Sequence, residues 1–147
     1  MLTNSTVKFI GFAVGTNGTI LKLVDNGDST IITNYSEPQH ALTDVYFTDD
    51  LTGYIVGEGG IILRTADQGN TWSKVISGTS ENLNDIFFVD ENVAYVAGNN
   101  GTILKTEDRG SSWTNLDIEV DPIQLPIPST TIVDYDIAAL QFRNSEE

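Results

Sequence analysis

Apolar and polar positions alternate over short runs in this chain, and no stretch shows the three-to-four-residue spacing of a helix. In the best-formed set, Val45-Tyr46-Phe47 closes at Thr48-Asp49-Asp50, and Tyr54-Ile55-Val56 stops at Gly57-Glu58-Gly59-Gly60. Ile61 to Thr65 is a third run; the polar turn Asp67-Gln68-Gly69-Asn70 follows, and Trp72 to Ile76 is a fourth. A second set repeats the order with Ile86-Phe87-Phe88, Ala94-Tyr95-Val96, Thr102 to Thr106 and Trp113 to Ile118. β-Branched and aromatic residues fill the runs, while Gly, Asp and Asn fill the breaks. Each set therefore predicts four short strands joined by tight turns.

The sets are copies of one unit. Gly15, Gly57 and Gly98 hold the same place in three related segments, spaced 42 and 41 residues apart. A period of this size marks a unit that buries its apolar face only by stacking on its neighbours. The expectation is an all-β chain of β-propeller blades, three four-stranded antiparallel units at about 7–36, 44–78 and 85–118 within 1–118. Residues 119–147 follow as an acidic connector containing Pro122, Pro126 and Pro128, with a closing strand at 137–143. Propellers run from about four to eight blades, so three predict completion by oligomerisation. A single-chain β-prism or β-trefoil, also built from three such units, stays open as the alternative.

The turn before each last strand carries the most specific motif. Thr65-Ala66-Asp67-Gln68-Gly69-Asn70-Thr71-Trp72 and Thr106-Glu107-Asp108-Arg109-Gly110-Ser111-Ser112-Trp113 share the pattern (Ser/Thr)-x-Asp-x-Gly-x-(Ser/Thr)-Trp. The carboxylate is suited to accept N–H bonds from its own turn, and the glycine allows positive φ. The hydroxyl at Thr71 or Ser112 can donate back to the carboxylate. Trp72 and Trp113 supply apolar bodies to wedge against neighbouring sheets. In the first copy the turn is eroded, with Ile31 near the place of the tryptophan.

This motif resembles that of the Asp-box (bacterial neuraminidase repeat) superfamily. The blades are most similar to those of photosystem II stability/assembly factor-like proteins, whose repeats read D-V-x-F…G-x-x-V-G-x-x-G-x-I-L-x-T-x-D-x-G-x-x-W. The signature is legible in Asp44 to Trp72 and Asp85 to Trp113, and partly in Phe12 to Asp25. The resemblance implies that Thr65, Asp67, Gly69, Thr71, Trp72, Thr106, Asp108, Gly110, Ser112 and Trp113 stabilise turns and carry no chemistry. It also raises the question of sialidase activity, which needs an arginine triad. The chain has three arginines in all, with Arg64 at a scaffold position shared with Lys22 and Lys105 and Arg109 inside a box; Arg143 is the third. The expectation is no enzyme, with no catalytic residue.

Chemistry elsewhere is sparse. His40 is the single histidine and cysteine is absent, so no His or Cys metal cluster and no Ser/His/Asp triad can be assembled. Asp25-Asn26-Gly27-Asp28-Ser29 lacks the alternating ligands and closing Glu of a calcium loop. No cofactor and no metal are expected. A net charge of −14 argues against nucleic acid and anionic membranes as partners. Met1 to Phe12 lacks a sustained apolar core, so no signal peptide is expected and synthesis is placed in the cytoplasm.

The ends of the chain suggest how the array closes. Ser5 falls where Phe47 and Phe88 stand in the other copies, whereas Leu140-Gln141-Phe142 matches Val45-Tyr46-Phe47. The closing strand Leu140–Phe142 is therefore expected to pair with Phe12-Ala13-Val14, in another subunit. Three functional readings follow. The first is a structural or interaction module of a larger assembly, placed most concretely in a bacteriophage virion as a decoration, neck or tail-associated protein. The second is a photosystem II assembly-factor-like protein-binding propeller. The resemblance implies a longer chain with a basic patch for that family, and this chain has only seven basic residues. The third is a glycan-binding lectin or adhesion module. Expected partners are a second copy of the chain and other proteins of the assembly, with a glycan under the third reading.

Overall fold

The computed structural model of this chain describes residues 9–25, 29–34, 39–116 and 136–142. Among these residues eleven strands form three antiparallel sheets. The first holds β1 (Phe9–Val14), β2 (Thr19–Asp25) and β3 (Ser29–Asn34) in that order. The second holds β4 (Leu42–Phe47), β5 (Gly53–Gly57), β6 (Ile61–Thr65) and β7 (Ser73–Val75). The third holds β8 (Leu83–Phe88), β9 (Ala94–Gly98), β10 (Ile103–Thr106) and β11 (Thr114–Asn115). Each sheet is a meander whose neighbours in sequence are neighbours in space, the blade pattern of a propeller.

Among the described residues the first sheet holds three strands, and the place of the fourth lies outside them. The 42-residue repeat places β1 in register with β5, so the described blade begins at the second strand of the unit. In the complete blades the first strand starts earlier than the aromatic runs mark it, at Leu42 and Leu83. A register shift between Leu42 and Asp44, repeated between Leu83 and Asp85, hides the alternation at these starts. The glycine-rich breaks after β1 and β5 each hold one turn of 3-10 helix, at Thr16–Gly18 and Glu58–Gly60.

Side chains alternate across each strand, and in the middle blade both faces are buried. Ile55, Ile61 and Leu63 turn toward the first blade, where they meet Ile20, Leu42, Phe12 and Trp72. Tyr54, Val56 and Ile62 turn toward the third, where they meet Leu83, Ile86, Phe88, Val96, Leu104 and Trp113. Burying each such side chain contributes about 1.5–3 kcal/mol. Stacking of sheet on sheet therefore carries the fold, with the first strands of successive blades packed beside one another. A prism or trefoil has no such stacked series, and the sheets are propeller blades.

Candidate functional site

The two Asp-box turns have the same geometry. Thr65 Oγ1 donates to Asp67 Oδ1 at 2.8 Å and accepts from the N–H of Gly69 at 2.9 Å. Asp67 Oδ1 also accepts from the Thr71 N–H at 2.9 Å, and Oδ2 accepts from Thr71 Oγ1 at 2.6 Å. Thr106, Asp108, Gly110 and Ser112 repeat these bonds at 2.8, 2.9, 2.9 and 2.6 Å. Gln68 and Arg109 take left-handed φ of 63° and 59°, and Gly69 and Gly110 follow at 71° and 69°. Two left-handed residues in succession bend the chain tightly enough to close the turn around one carboxylate.

These bonds make the two carboxyls more acidic. The Thr71 hydroxyl and N–H, then the Thr65 hydroxyl, hold the Asp67 carboxyl at about 2, and Ser112 and Thr106 do the same for Asp108, also at about 2. A folded value below the unfolded one means stability that is complete above the ordinary carboxylate range and lost as pH falls toward 2. The expected result is a melting temperature that drops steeply between about pH 4 and pH 2. Asp108→Ala should lower the melting temperature at neutral pH and flatten that acid slope. Equal acid slopes for variant and wild type would contradict the assignment.

Each box also joins its blade to the one before, a role that the local motif does not reveal. The Gly69 Cα packs against the Phe12 ring, and Gly110 against the Tyr54 ring. Tyr54 Oη donates to the Arg109 carbonyl at 2.5 Å and accepts from Arg64 Nε at 3.3 Å. Lys22 Nζ reaches Asn70 Oδ1 at 2.8 Å. Phe12, Phe47 and Trp72 form one aromatic cluster, the indole standing nearly perpendicular to both rings at 6.2 and 6.1 Å. Trp113 is buried and Trp72 half-buried, and both Nε1 atoms are enclosed. Trp113 packs between the blades and is withheld from a stacking sugar.

The acidic pairs define a rim. The N–H of Gln68 donates to the Leu51 carbonyl at 2.9 Å, and that of Arg109 to the Asn92 carbonyl at 3.1 Å, so the boxes and the β4–β5 and β8–β9 turns share one end of the blades. Asp49 caps its turn through the N–H groups of Leu51 and Thr52 at 2.7 and 2.8 Å, and Asp90 caps the next through Asn92 and Val93 at the same distances. Those bonds lower both carboxyls below their usual range. Asp50 and Glu91 stand beside them on the surface, with Glu91 Oε2 3.0 Å from Arg109 Nη2. Leu51 and Val89 add apolar surface, 55% and 46% exposed. At the edge of this rim a groove of about 450 Å³ runs between β1 and β4, lined by Phe9, Ile10, Phe12, Val45 and Phe47 with Asp49, Asp50 and Gln68.

Two signals in the repeat consensus escaped functional reading. Asp44 Oδ2 accepts from the Ile86 N–H at 2.9 Å, which ties the middle blade to the third, and burial pushes its carboxyl above the usual range. Asp85, one repeat later, accepts from the Leu140 N–H at 2.5 Å. This locates the segment expected to close the array. Residues 136–142 lie on the third blade of their own chain, beyond β8, and form no strand ladder with Phe12 or Val14. Phe142 stacks on Tyr95 at 4.6 Å and on Phe87 at 5.7 Å, and Ile137 donates its N–H to the Gly98 carbonyl at 3.0 Å. Those apolar and acceptor groups would otherwise face solvent, so the nearest available segment covers them. Residue 143, the last of the expected strand, and most of the connector lie outside the described residues.

Residues 4–79 match the family model described as photosynthesis system II assembly factor YCF48, which is more than half of the chain. The chain belongs to the YCF48 family. A solved structure titled "YCF48 bound to D1 peptide" is similar at 26% identity with a TM-score of 0.63, over 79% of this chain and 41% of the other. YCF48 from Cyanidioschyzon merolae has the same fold at 24% identity and a TM-score of 0.64, over 88% of this chain and 46% of its own. The chain thus spans less than half the length of the YCF48 structures it matches. No curated protein matches it. The family is described as an assembly factor, and the first of these structures holds a YCF48 with a D1 peptide. These relatives favour the assembly-factor alternative over placement in a virion, for which they offer no support.

Proposed function

We propose that this chain is a non-catalytic, protein-binding propeller module that holds a segment of a partner polypeptide during assembly. The observation that carries this reading is the match to the YCF48 family, one member of which is seen with a D1 peptide. The chemistry of the rim refines it. Asp50 and Glu91 project beside Leu51 and Val89 on the turns of adjacent blades. Such a surface attracts a segment that interleaves basic and apolar residues, and its long-range attraction is screened by salt. The partner segment is therefore basic, the complement of a chain carrying −14.

The test is a titration of the purified chain with fluorescent D1 segments and with variants of them in which lysines are added or removed. Added lysines should tighten binding, and raised salt should weaken it. Charge reversal by Asp50→Lys with Glu91→Lys should cost about tenfold in affinity, near 1.4 kcal/mol. Absence of binding by every D1 and lysine-bearing segment would overturn the reading. Binding that is indifferent to both salt and charge reversal would move the site away from this rim.

A further inference from the structure

The described residues contain two half-blades that fit each other. In the first blade β1 pairs with β2 on one edge, and among the described residues no strand pairs with its other edge. Sequence phase puts Ser5 where Phe47 covers the middle blade, so the neighbouring residues of the chain offer no aromatic for that edge. Beyond the third blade, residues 136–142 occupy the place of a first strand. The bonds that β8 and the residue before it make to the middle blade have counterparts here. Thr43 Oγ1 donates to the Leu83 carbonyl at 2.5 Å, and Asn84 Nδ2 to the Ile137 carbonyl at 2.8 Å. Asp44 receives the Ile86 N–H and Asp85 the Leu140 N–H. Gly59 donates to Asn82 Oδ1 at 3.0 Å, and Asn100 to Asp136 Oδ1 at 3.3 Å. The aromatic rung Phe12–Phe47, at 4.4 Å, recurs as Tyr54–Phe88 at 4.7 Å and Tyr95–Phe142 at 4.6 Å.

Among the described residues, the positions beside β1 that a first strand covers in the other blades are unfilled. In the middle blade the Phe47 ring covers Gly53, where a Cβ would stand 2.6 Å from the ring; Ala94 holds that place in the third. In the first blade the residue is Gly11, whose nearest neighbours are Leu23 atoms of its own sheet at 3.7 Å. Gly57 and Gly98 are pressed by the Ala41 and Asn82 carbonyls, at or just before the start of their first strands. The equivalent Gly15 has nothing within 4 Å among the described residues. Gly15 has φ of −171°, extended backbone open to any residue, so its own turn does not call for glycine there. Phe9, 71% exposed, and Ile10 leave apolar surface along the same edge. An apolar edge with no partner strand among the described residues is a template for another strand.

We propose that the segment 136–142 of one copy pairs with β1 of a second copy, completing a composite blade. The register follows β4 on β5: Leu140 opposite Ala13, Gln141 opposite Phe12 and Phe142 over Gly11, with the Asp136 carbonyl against Gly15. Each copy then supplies two whole blades and both halves of composite ones. Two copies close a ring of six blades, within the range of about four to eight that propellers adopt; three copies would need nine. The inference does not depend on the assembly-factor reading, because the composite edge and the acidic rim are different surfaces.

Light scattering on the 147-residue chain should return twice 16.0 kDa. Gly11→Val with Gly15→Val should reduce the mass to that of one chain while the β-sheet circular dichroism persists, because neither side chain meets a described atom of the single copy closer than 3.7 Å at its Cβ. The chain has no cysteine, so Ala13→Cys with Leu140→Cys should oxidise to a covalent dimer, whereas Ala13→Cys with Ala138→Cys should not. A wild-type mass other than the dimer's at about 100 µM, far above the micromolar range of weak interfaces, overturns the proposal. So does a double-valine variant that stays dimeric, or an oxidised Ala13→Cys, Leu140→Cys variant that still runs as a single chain.

Discussion

Trp113→Ala is expected to lower the stability of the fold by about 3–5 kcal/mol, the range of large aromatic truncations in packed cores. Trp113 is 9% exposed and sits in the cluster formed by Tyr54, Phe88, Leu83, Val96 and Leu104 between the middle and third blades. Its Nε1 has no hydrogen-bond partner, so the loss comes from packing and the cavity rather than from a broken bond. A domain of this size has about 5–15 kcal/mol in total, and the variant gives up a large share of it. Urea denaturation followed by circular dichroism measures the change. A loss below about 1 kcal/mol would mean that the indole does not bind the two blades together.

Gly110→Ala is expected to cost about 2–5 kcal/mol, more than its small size suggests. Gly110 has φ of +69°, where an L residue pays about 1–2 kcal/mol. A Cβ there would stand 2.5 Å from Tyr54 Cε1, and overpacking adds about 1–3 kcal/mol. Tyr54 cannot withdraw, since it is fully buried and its hydroxyl is committed to the Arg109 carbonyl. Gly101→Ala is the control, with φ of +67° and no described atom within 4 Å, so among the described residues it meets the backbone cost alone. Equal losses for the two variants would show that the box glycine serves only its own turn and not the joint between blades.

These two residues show how differently parts of the molecule are encoded. The glycine at 110 is visible in the sequence because the box motif is local. Asp108, Ser112 and Thr106 find one another within a single turn, and such bonds form wherever the segment folds. The blade strands are equally legible, since alternation and turn chemistry repeat at 42 and 41 residues. The Tyr54 ring against Gly110 is not legible, because it joins residues more than one repeat apart and exists only once two sheets are stacked.

The chain ends follow the same division. The sequence by itself showed that Leu140-Gln141-Phe142 is like Val45-Tyr46-Phe47 and that Ser5 stands where those copies carry an aromatic, because side-chain type and order suffice for both. It also determined the strand content and the turn role of the boxes, through short-range periodicity and hydrogen bonding. Only the tertiary structure decided that residues 136–142 lie on the third blade, since the intervening connector breaks the repeat phase and leaves no local signal of where the segment returns. It likewise decided that, among the described residues, Gly11 meets only Leu23 and Gly15 meets nothing within 4 Å. A glycine in a sequence records no neighbour, and whether its missing Cβ matters depends on which sheet comes to lie against it.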